Sequence, residues 1–196
     1  MSYTKDSGSQ RHIPANFRLQ FNEDQIHSRV KELGAEIDHW CKSVWADSRT
    51  DVVAIPVLRG GVYFFADLSR QISSSIEIAP VRTSAYDAGT NTARQEVTVD
   101  QFADPVQIKG RVVLVVDDVC DSGRTLEQLE RSLVERGARE VRTVVLVRRL
   151  LPRPTFVPCW VGLEYSGPEW FVGYGMDDNE RYRNLPAVYT IGRDEK

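Results

Sequence analysis

Val112-Val113-Leu114-Val115-Val116-Asp117-Asp118-Val119-Cys120-Asp121-Ser122-Gly123-Arg124-Thr125 is the stretch on which the fold turns. Its unbroken apolar opening suits a strand buried on both faces. Two adjacent carboxylates, Asp117 and Asp118, come next, then the small polar run from Asp121 to Thr125. Leu126, Leu129 and Leu133 follow at helical spacing. The pattern predicts a strand, a tight turn and a helix N-terminus. Such a turn presents backbone N–H groups and the positive end of the helix dipole, which is a setting for a phosphate. Asp117 and Asp118 cannot bind phosphate and suit sugar hydroxyls or a hydrated cation. A phosphate pocket beside a diol-and-cation pocket describes a phosphorylated sugar.

Outward from this stretch the chain alternates. Downstream, the helix ends near Arg136 with Gly137 as its cap, and Val141–Val147 reads as the next strand, which makes a βαβ unit with a parallel pair. Upstream, Val52–Val57 is a short apolar strand, Leu58-Arg59-Gly60-Gly61 a turn, and Val62–Ile72 a helix with Phe65, Leu68 and Ile72 on one face. The glycines either only shape that turn or let the backbone approach an anion at Gly60, with Arg59 adding charge. Ile76–Thr83 reads as a strand. The run from Ser84 to Arg94 reads as neither helix nor strand; it is a mobile lid or a long hairpin loop without a role. Gln95–Val99 alternates like a strand returning from it. Earlier still, Asn22-Glu23-Asp24-Gln25 has the form of a capping box, and Ile26, Val30, Leu33, Ile37, Trp40, Cys41 and Val44 keep helical spacing. His27 and His39 have no partner that would make them ligands. Beyond Leu150, prolines and glycines break the chain around the short runs Val161–Tyr165 and Trp170–Val172. A charged cluster follows: Asp177, Asp178, Glu180, Arg181 and Arg183.

This alternation implies an α/β fold, a mainly parallel central sheet flanked by helices, with a small C-terminal hood. Ligands in such sheets sit at the carboxyl ends of the strands, where Arg59-Gly60, Asp117–Thr125 and Arg148-Arg149 all fall. The expected organisation is a disordered N-terminus over residues 1–12 and one domain over 13–196, its core about 22–150 and its hood about 151–191. The chain has 196 residues, enough to bury a substantial core, and its 41% hydrophobic and 27% charged residues are ordinary for a globular domain. The net charge of −3 argues against a nucleic-acid partner. Cys41, Cys120 and Cys159 are far apart and form no metal-binding pair, so they read as reduced thiols of a cytoplasmic protein. No stretch approaches the roughly 18 apolar residues of a membrane span. No P-loop motif is present, and Gly173-Tyr174-Gly175 lacks the third glycine of a dinucleotide fingerprint.

Val115 to Thr125 resembles the phosphoribosyl-pyrophosphate signature of type I phosphoribosyltransferases. Val57-Leu58-Arg59-Gly60-Gly61 through Leu68 resembles the pyrophosphate loop and following helix of the hypoxanthine-guanine phosphoribosyltransferases. Trp170-Phe171-Val172-Gly173-Tyr174-Gly175-Met176-Asp177 through Pro186 resembles the purine-binding hood of the same family. The resemblance implies transfer of a phosphoribosyl group from phosphoribosyl pyrophosphate to a 6-oxopurine, with Mg2+. It implies that Asp121, Ser122, Gly123, Arg124 and Thr125 hold the 5′-phosphate, and that Asp117 and Asp118 hold the ribose hydroxyls directly or through metal-bound water. Arg59, Gly60 and Arg183 would hold the leaving pyrophosphate, and the bond before Arg59 is often cis in the family. Asp121 would be the general base near purine N7. Trp170 would stack on the purine, Phe171 would use its backbone on the base edge, and Asp177 would help hold Mg2+. Ser84 and Tyr86 would belong to a closing lid. A homodimer or homotetramer is implied, with the Arg59 loop near an interface.

Two positions depart from the family pattern. The acid pair, usually Glu-Asp, is Asp117-Asp118. The residue that reaches the purine 6-oxo group, usually lysine, is Arg148, whose planar fork is not interchangeable with an ammonium. Trp170 and Phe171 also suit plain core positions, and Arg149 and Arg153 suit solvated charges. The competing functions are a xanthine-preferring transferase and a regulator of the same fold that binds nucleotide and nucleic acid.

Overall fold

The computed structural model describes residues 13–86, 93–99 and 107–192, with backbone alone at 83–86 and 93–99. In chain order the elements are β1 (Arg18–Phe21), α1 (Glu23–Ser48), β2 (Val52–Leu58), α2 (Gly61–Ser69), β3 (Ile76–Ile78), β4 (Val81–Tyr86) and β5 (Ala93–Val99). Then come β6 (Val112–Cys120), α3 (Arg124–Glu135), β7 (Glu140–Arg149), β8 (Trp160–Tyr165), β9 (Trp170–Val172) and β10 (Val188–Ile191).

Helix α1 begins where the capping box places it. The Asn22 side chain accepts from the Gln25 amide at 2.8 Å, and the Gln25 side chain accepts from the Asn22 amide at 2.9 Å. The spaced apolar residues from Ile26 to Val44 are all buried, while His27 and His39 are exposed. Helix α3 closes on Gly137, whose φ of +86° belongs to the left-handed region. The Gly137 and Ala138 amides donate back to the Val134 and Leu133 carbonyls, which satisfies the last turn.

The main sheet runs β5-β4-β2-β6-β7-β8, with β3 also paired to β2. Its β2, β3, β4, β6, β7 and β8 pairings are parallel, and β4 with β5 is antiparallel. Both faces are apolar because both are covered. Val52, Val112, Leu114 and Val116 pack toward α1 and α2, and Val53, Ile55, Val113 and Val115 pack toward Leu126, Leu129 and Leu133 of α3. From β2 the chain proceeds to β3 and β4 on one side, and from β6 it proceeds to β7 on the other. The crevice between the carboxyl ends of β2 and β6 is therefore a topological switch point, where ligands bind in open α/β sheets.

Several elements differ from the sequence expectation. β6 does not stop before the acid pair: Asp117 and Cys120 still pair with Val145 and Arg148, so only Asp121–Gly123 forms the turn. The single strand expected over Ile76–Thr83 is two, β3 and β4, separated by Ala79-Pro80; proline has no N–H for the ladder. Ser84–Tyr86, Ala93 and Arg94 lie within β4 and β5 rather than in a loop, whereas residues 87–92 and 1–12 lie outside the described residues. The hood also draws on different segments. β8, placed there by its flanking prolines, extends the main sheet beside β7. The hood sheet is β1-β10-β9, and β1 comes from the N-terminal side of the chain.

Helix α2 ends at Ser69, three residues short of the expected Ile72. Beyond it, the amides of Ser73 and Ser74 go to Asp38 of α1, at 3.0 and 2.8 Å, and the Ser74 hydroxyl donates to the same oxygen at 2.7 Å. Lys42 pairs with the other oxygen at 2.7 Å. The Lys42 bond above all, with Ser74 assisting against burial, holds the Asp38 carboxyl down at about 2. A depressed carboxylate stabilises the fold fully above its unfolded value near 4, and the contribution is lost as pH falls through about 2. Asp38→Asn is accordingly expected to lose about 2 kcal/mol at pH 7, a difference that shrinks below about pH 4. Urea unfolding of both proteins at pH 7 and at about pH 2.5 checks it; a gap independent of pH would disprove the ionic origin.

Candidate active site

Three turns meet at the switch point. The first follows β2. The Leu58–Arg59 peptide is cis, and Gly60 and Gly61 open α2 directly. These glycines are required by contact rather than by turn shape alone. A Cβ on Gly60 would fall inside the Asp118 carboxylate, and one on Gly61 would lie 2.9 Å from the Val116 carbonyl oxygen. The loop thus lies directly on the acid pair at the end of β6.

Asp117 is buried, and its Oδ1 accepts from the Asp118 amide at 3.0 Å. Burial, and then the Asp118 charge, push the Asp117 carboxyl well above the usual carboxylate range. Burial also raises Asp118, against the lowering effects of its bond with Asp117 and of Arg183. Two adjacent carboxylates short of compensating charge are what a cation or hydroxyl donors would relieve. Among the described residues, no group of three or more His, Cys, Asp or Glu could hold a metal alone.

The second turn is Asp121–Gly123. Gly123 has φ +90° and caps α3 without a side-chain bond of its own; the Arg124 amide donates weakly to the Ser122 hydroxyl at 3.4 Å, and the amides that follow are available to an anion. A Cβ there would lie 2.7 Å from Cβ of Phe156. The turn is braced from the same side: the Thr155 amide and hydroxyl both donate to the Ser122 carbonyl, at 2.9 and 2.7 Å. Ser122 and Thr125 are partly exposed, and Arg124 is exposed. Cys120, just before the turn, is buried, and desolvation pushes its thiol up to about 11, so it is an inert core residue.

The third turn is the hood hairpin from Gly173 to Arg183. Trp170 is half-buried and its Nε1 donates to the Asp177 carbonyl at 2.7 Å. The Phe171 ring is buried, edge-on to Tyr165 at 5.0 Å, so the bland reading of a core side chain holds for it. Arg183 donates to the Gly175 carbonyl at 2.7 Å and pairs with Asp177 at 2.7 Å and Glu180 at 3.3 Å. Arg59 pairs with Glu180 across the crevice. Tyr174 anchors the hairpin to α2 by donating to Asp67 at 2.6 Å.

The fold therefore brings Arg59, Gly60, Asp117, Asp118, Asp177 and Arg183 together, and sets Asp121–Thr125 beside them. The side chains of Ser84 and Tyr86 lie outside the described residues. Arg148 pairs at 3.7 Å with Glu164, opposite it on β8. Its neighbour Arg149 corrects the expectation of a solvated charge: its side chain is only 12% exposed and its Nε donates to Asp121 at 2.6 Å. Glu180, which pairs with Arg59 and Arg183, stands in the sequence only as part of a charged cluster. Its pairing with Arg183 is three residues away, but the Arg59–Glu180 and Asp121–Arg149 pairs join residues distant in sequence, and no local pattern marks them.

A family model described as a phosphoribosyl transferase domain matches residues 24–179. The chain is 37% identical over 176 residues to the hypoxanthine phosphoribosyltransferase of Haemophilus influenzae, covering 89% of this chain and 94% of that one. It is 35% identical over 173 residues to the hypoxanthine-guanine phosphoribosyltransferase of Mycobacterium tuberculosis, covering 86% and 82%. Among solved structures, a hypoxanthine phosphoribosyltransferase from Staphylococcus aureus superimposes with a TM-score of 0.77 at 25% identity, over 94% of this chain and 98% of that one. A hypoxanthine-guanine phosphoribosyltransferase from Bacillus anthracis does so with a TM-score of 0.75 at 29% identity, over 89% and 98%.

Proposed function

The chain belongs to the hypoxanthine-guanine phosphoribosyltransferase family, and on that premise we propose that it salvages purines, transferring the phosphoribosyl group of phosphoribosyl pyrophosphate to N9 of hypoxanthine or guanine. The observation that carries this reading is the meeting, at one switch point, of a buried acid pair, an uncapped helix N-terminus and the Arg59-Gly60-Gly61 turn beneath an aromatic hood.

Each part has a task in the transfer. The amides and hydroxyls of Ser122–Thr125, with the Arg124 charge, hold the 5′-phosphate. Asp117 and Asp118 accept from the ribose hydroxyls. Arg59, the Gly60 backbone and Arg183 hold the pyrophosphate, and phosphate oxygens then replace the Glu180 and Asp177 carboxylates that these arginines now face. Trp170 stacks on the purine, the Phe171 backbone meets its edge, and Arg148 donates to the 6-oxo group, which a 6-amino purine does not match. N9 bonds to the anomeric carbon as the bond to pyrophosphate breaks, and Asp121 takes the proton released from the base at N7. The segment of Ser84 and Tyr86 closes over the crevice and keeps water from the activated sugar.

Mg2+ fits the donor set. It binds through one or two carboxylates together with water and phosphate oxygens rather than in an all-protein cage, and Asp117, Asp118 and Asp177 are the carboxylates that would hold it. Its chemistry here is neutralisation of the charge on the leaving pyrophosphate. The exposed Val62 and Tyr63, one turn from Arg59, offer apolar surface for the dimer or tetramer we expect in the cytoplasm.

Assays with hypoxanthine, guanine, xanthine and adenine, each with and without Mg2+, test the reading. Nucleoside monophosphate is expected from hypoxanthine or guanine only with Mg2+, and none from adenine. No product from any 6-oxopurine would sink the proposal. A dominant rate with xanthine would move it to the xanthine-preferring alternative.

A further inference from the structure

Arg149 ends β7 at the junction of the ribose-phosphate turn and the hood. Its Nε donates to Asp121 at 2.6 Å, one terminal nitrogen to the Gly167 carbonyl, and the other to the Glu169 carbonyl at 3.0 Å. The guanidinium lies 4.7 Å from the centre of the Phe171 ring and 5.7 Å from that of Tyr165. The Tyr165 hydroxyl donates to the Glu169 carboxylate at 2.5 Å, and both groups lie close against Gly167, where an added Cβ would have to displace them.

We infer that Arg149 is a positioning residue of the transfer reaction: it fixes the Asp121 carboxylate toward the base site and locks the ribose-phosphate turn to the hood. The inference rests on the function proposed above and adds a residue to it. The Asp121 side chain is 42% exposed, and Arg149 supplies the hydrogen bond that holds it. A charge-assisted bond from a buried guanidinium, itself anchored to two backbone carbonyls, selects one rotamer of that carboxylate. Three donors in a rigid plane are needed to reach one carboxylate oxygen and two carbonyls at once, which an ammonium cannot reproduce. The pair of rings holds the plane by cation–π contact.

A double-mutant cycle in the full chain tests this. R149M is expected to lower kcat about 100-fold, the scale of a misplaced catalytic group, and to raise KM for the purine. In a D121N background the same substitution should change kcat by less than about threefold, because the carboxylate that it positions no longer acts. R149K should recover part of the loss. Thermal unfolding confirms that each variant is folded; if R149M is not, the cycle is read on R149K and R149Q. An equal loss in both backgrounds would make Arg149 a scaffold residue, and an R149M enzyme as fast as the parent would remove it from the mechanism. Either result overturns the inference while leaving the transfer function standing. An inactive parent chain would fell both.

Discussion

Asp121→Asn is expected to lower kcat by about 10²–10⁴-fold, the range that a positioned general base contributes. The substitution keeps the shape of the side chain and an oxygen for Arg149, and removes the capacity to take a proton. Little of the fold depends on that charge. Asp121 lies in the turn after β6, is half-exposed, and forms one ion pair. The amide oxygen still accepts from the Arg149 Nε, so the hydrogen bond outlasts the charge and the unfolding midpoint should move by no more than a few degrees. KM for phosphoribosyl pyrophosphate should also change little, because the contacts proposed for the 5′-phosphate are the α3 amides and the hydroxyls beyond Asp121, which the substitution leaves in place. Steady-state kinetics together with thermal unfolding separate the outcomes. A loss below about tenfold would remove Asp121 as the base and leave it a member of the phosphate turn.

What the sequence shows plainly is whatever one element decides alone. The apolar run of β6, the Asn22 capping box, the stripe of α1 and the Gly137 cap each depend on residues within a few positions, and each stands as read. The turn proposed to hold phosphate is visible for the same reason: the strand, the small residues and the helix that build it are contiguous. What stays hidden is decided across the chain. β1 is four residues long and acquires its meaning only from β10, about 170 residues later. β8 looks like hood because prolines surround it, yet the open edge of β7 recruits it into the main sheet. Asp38 sits among apolar positions of α1 and is accounted for by two serine amides beyond α2. Arg149 is one of two adjacent arginines. Nothing local tells which of them meets Asp121, because that depends on the strand's alternation and on where the hood folds back. Gly173-Tyr174-Gly175 is the clearest such case. Judged by spacing it is a failed dinucleotide motif; in space it is a tight turn of the hood, closed by the bridge between Gly173 and Met176.

That turn carries the second large effect. Gly175 has φ +99°, and a Cβ there would overlap the carbonyl oxygen of Gly60. The colliding atom is backbone, in a loop fixed from its other side by Asp118, so no flexible side chain can yield. Gly175→Ala therefore incurs two costs, the left-handed conformation at about 1–2 kcal/mol and the overlap at about 1–3 kcal/mol. A total loss of about 2–5 kcal/mol is expected, which would lower the unfolding midpoint by roughly 4–20 °C. Gly110→Ala isolates the first cost, since Gly110 also has positive φ, +77°, but faces open space. It should lose only about 1–2 kcal/mol. Activity should follow the same division. Displacing Gly175 shifts Arg183, which donates to its carbonyl, and presses on the Arg59 loop, so KM for phosphoribosyl pyrophosphate rises in G175A and not in G110A. Urea unfolding and steady-state kinetics of the two variants decide the matter. Equal stability losses would mean that the hood can lift from the loop at no cost, and the close approach of Gly60 and Gly175 would then set neither the stability of the chain nor the grip on pyrophosphate.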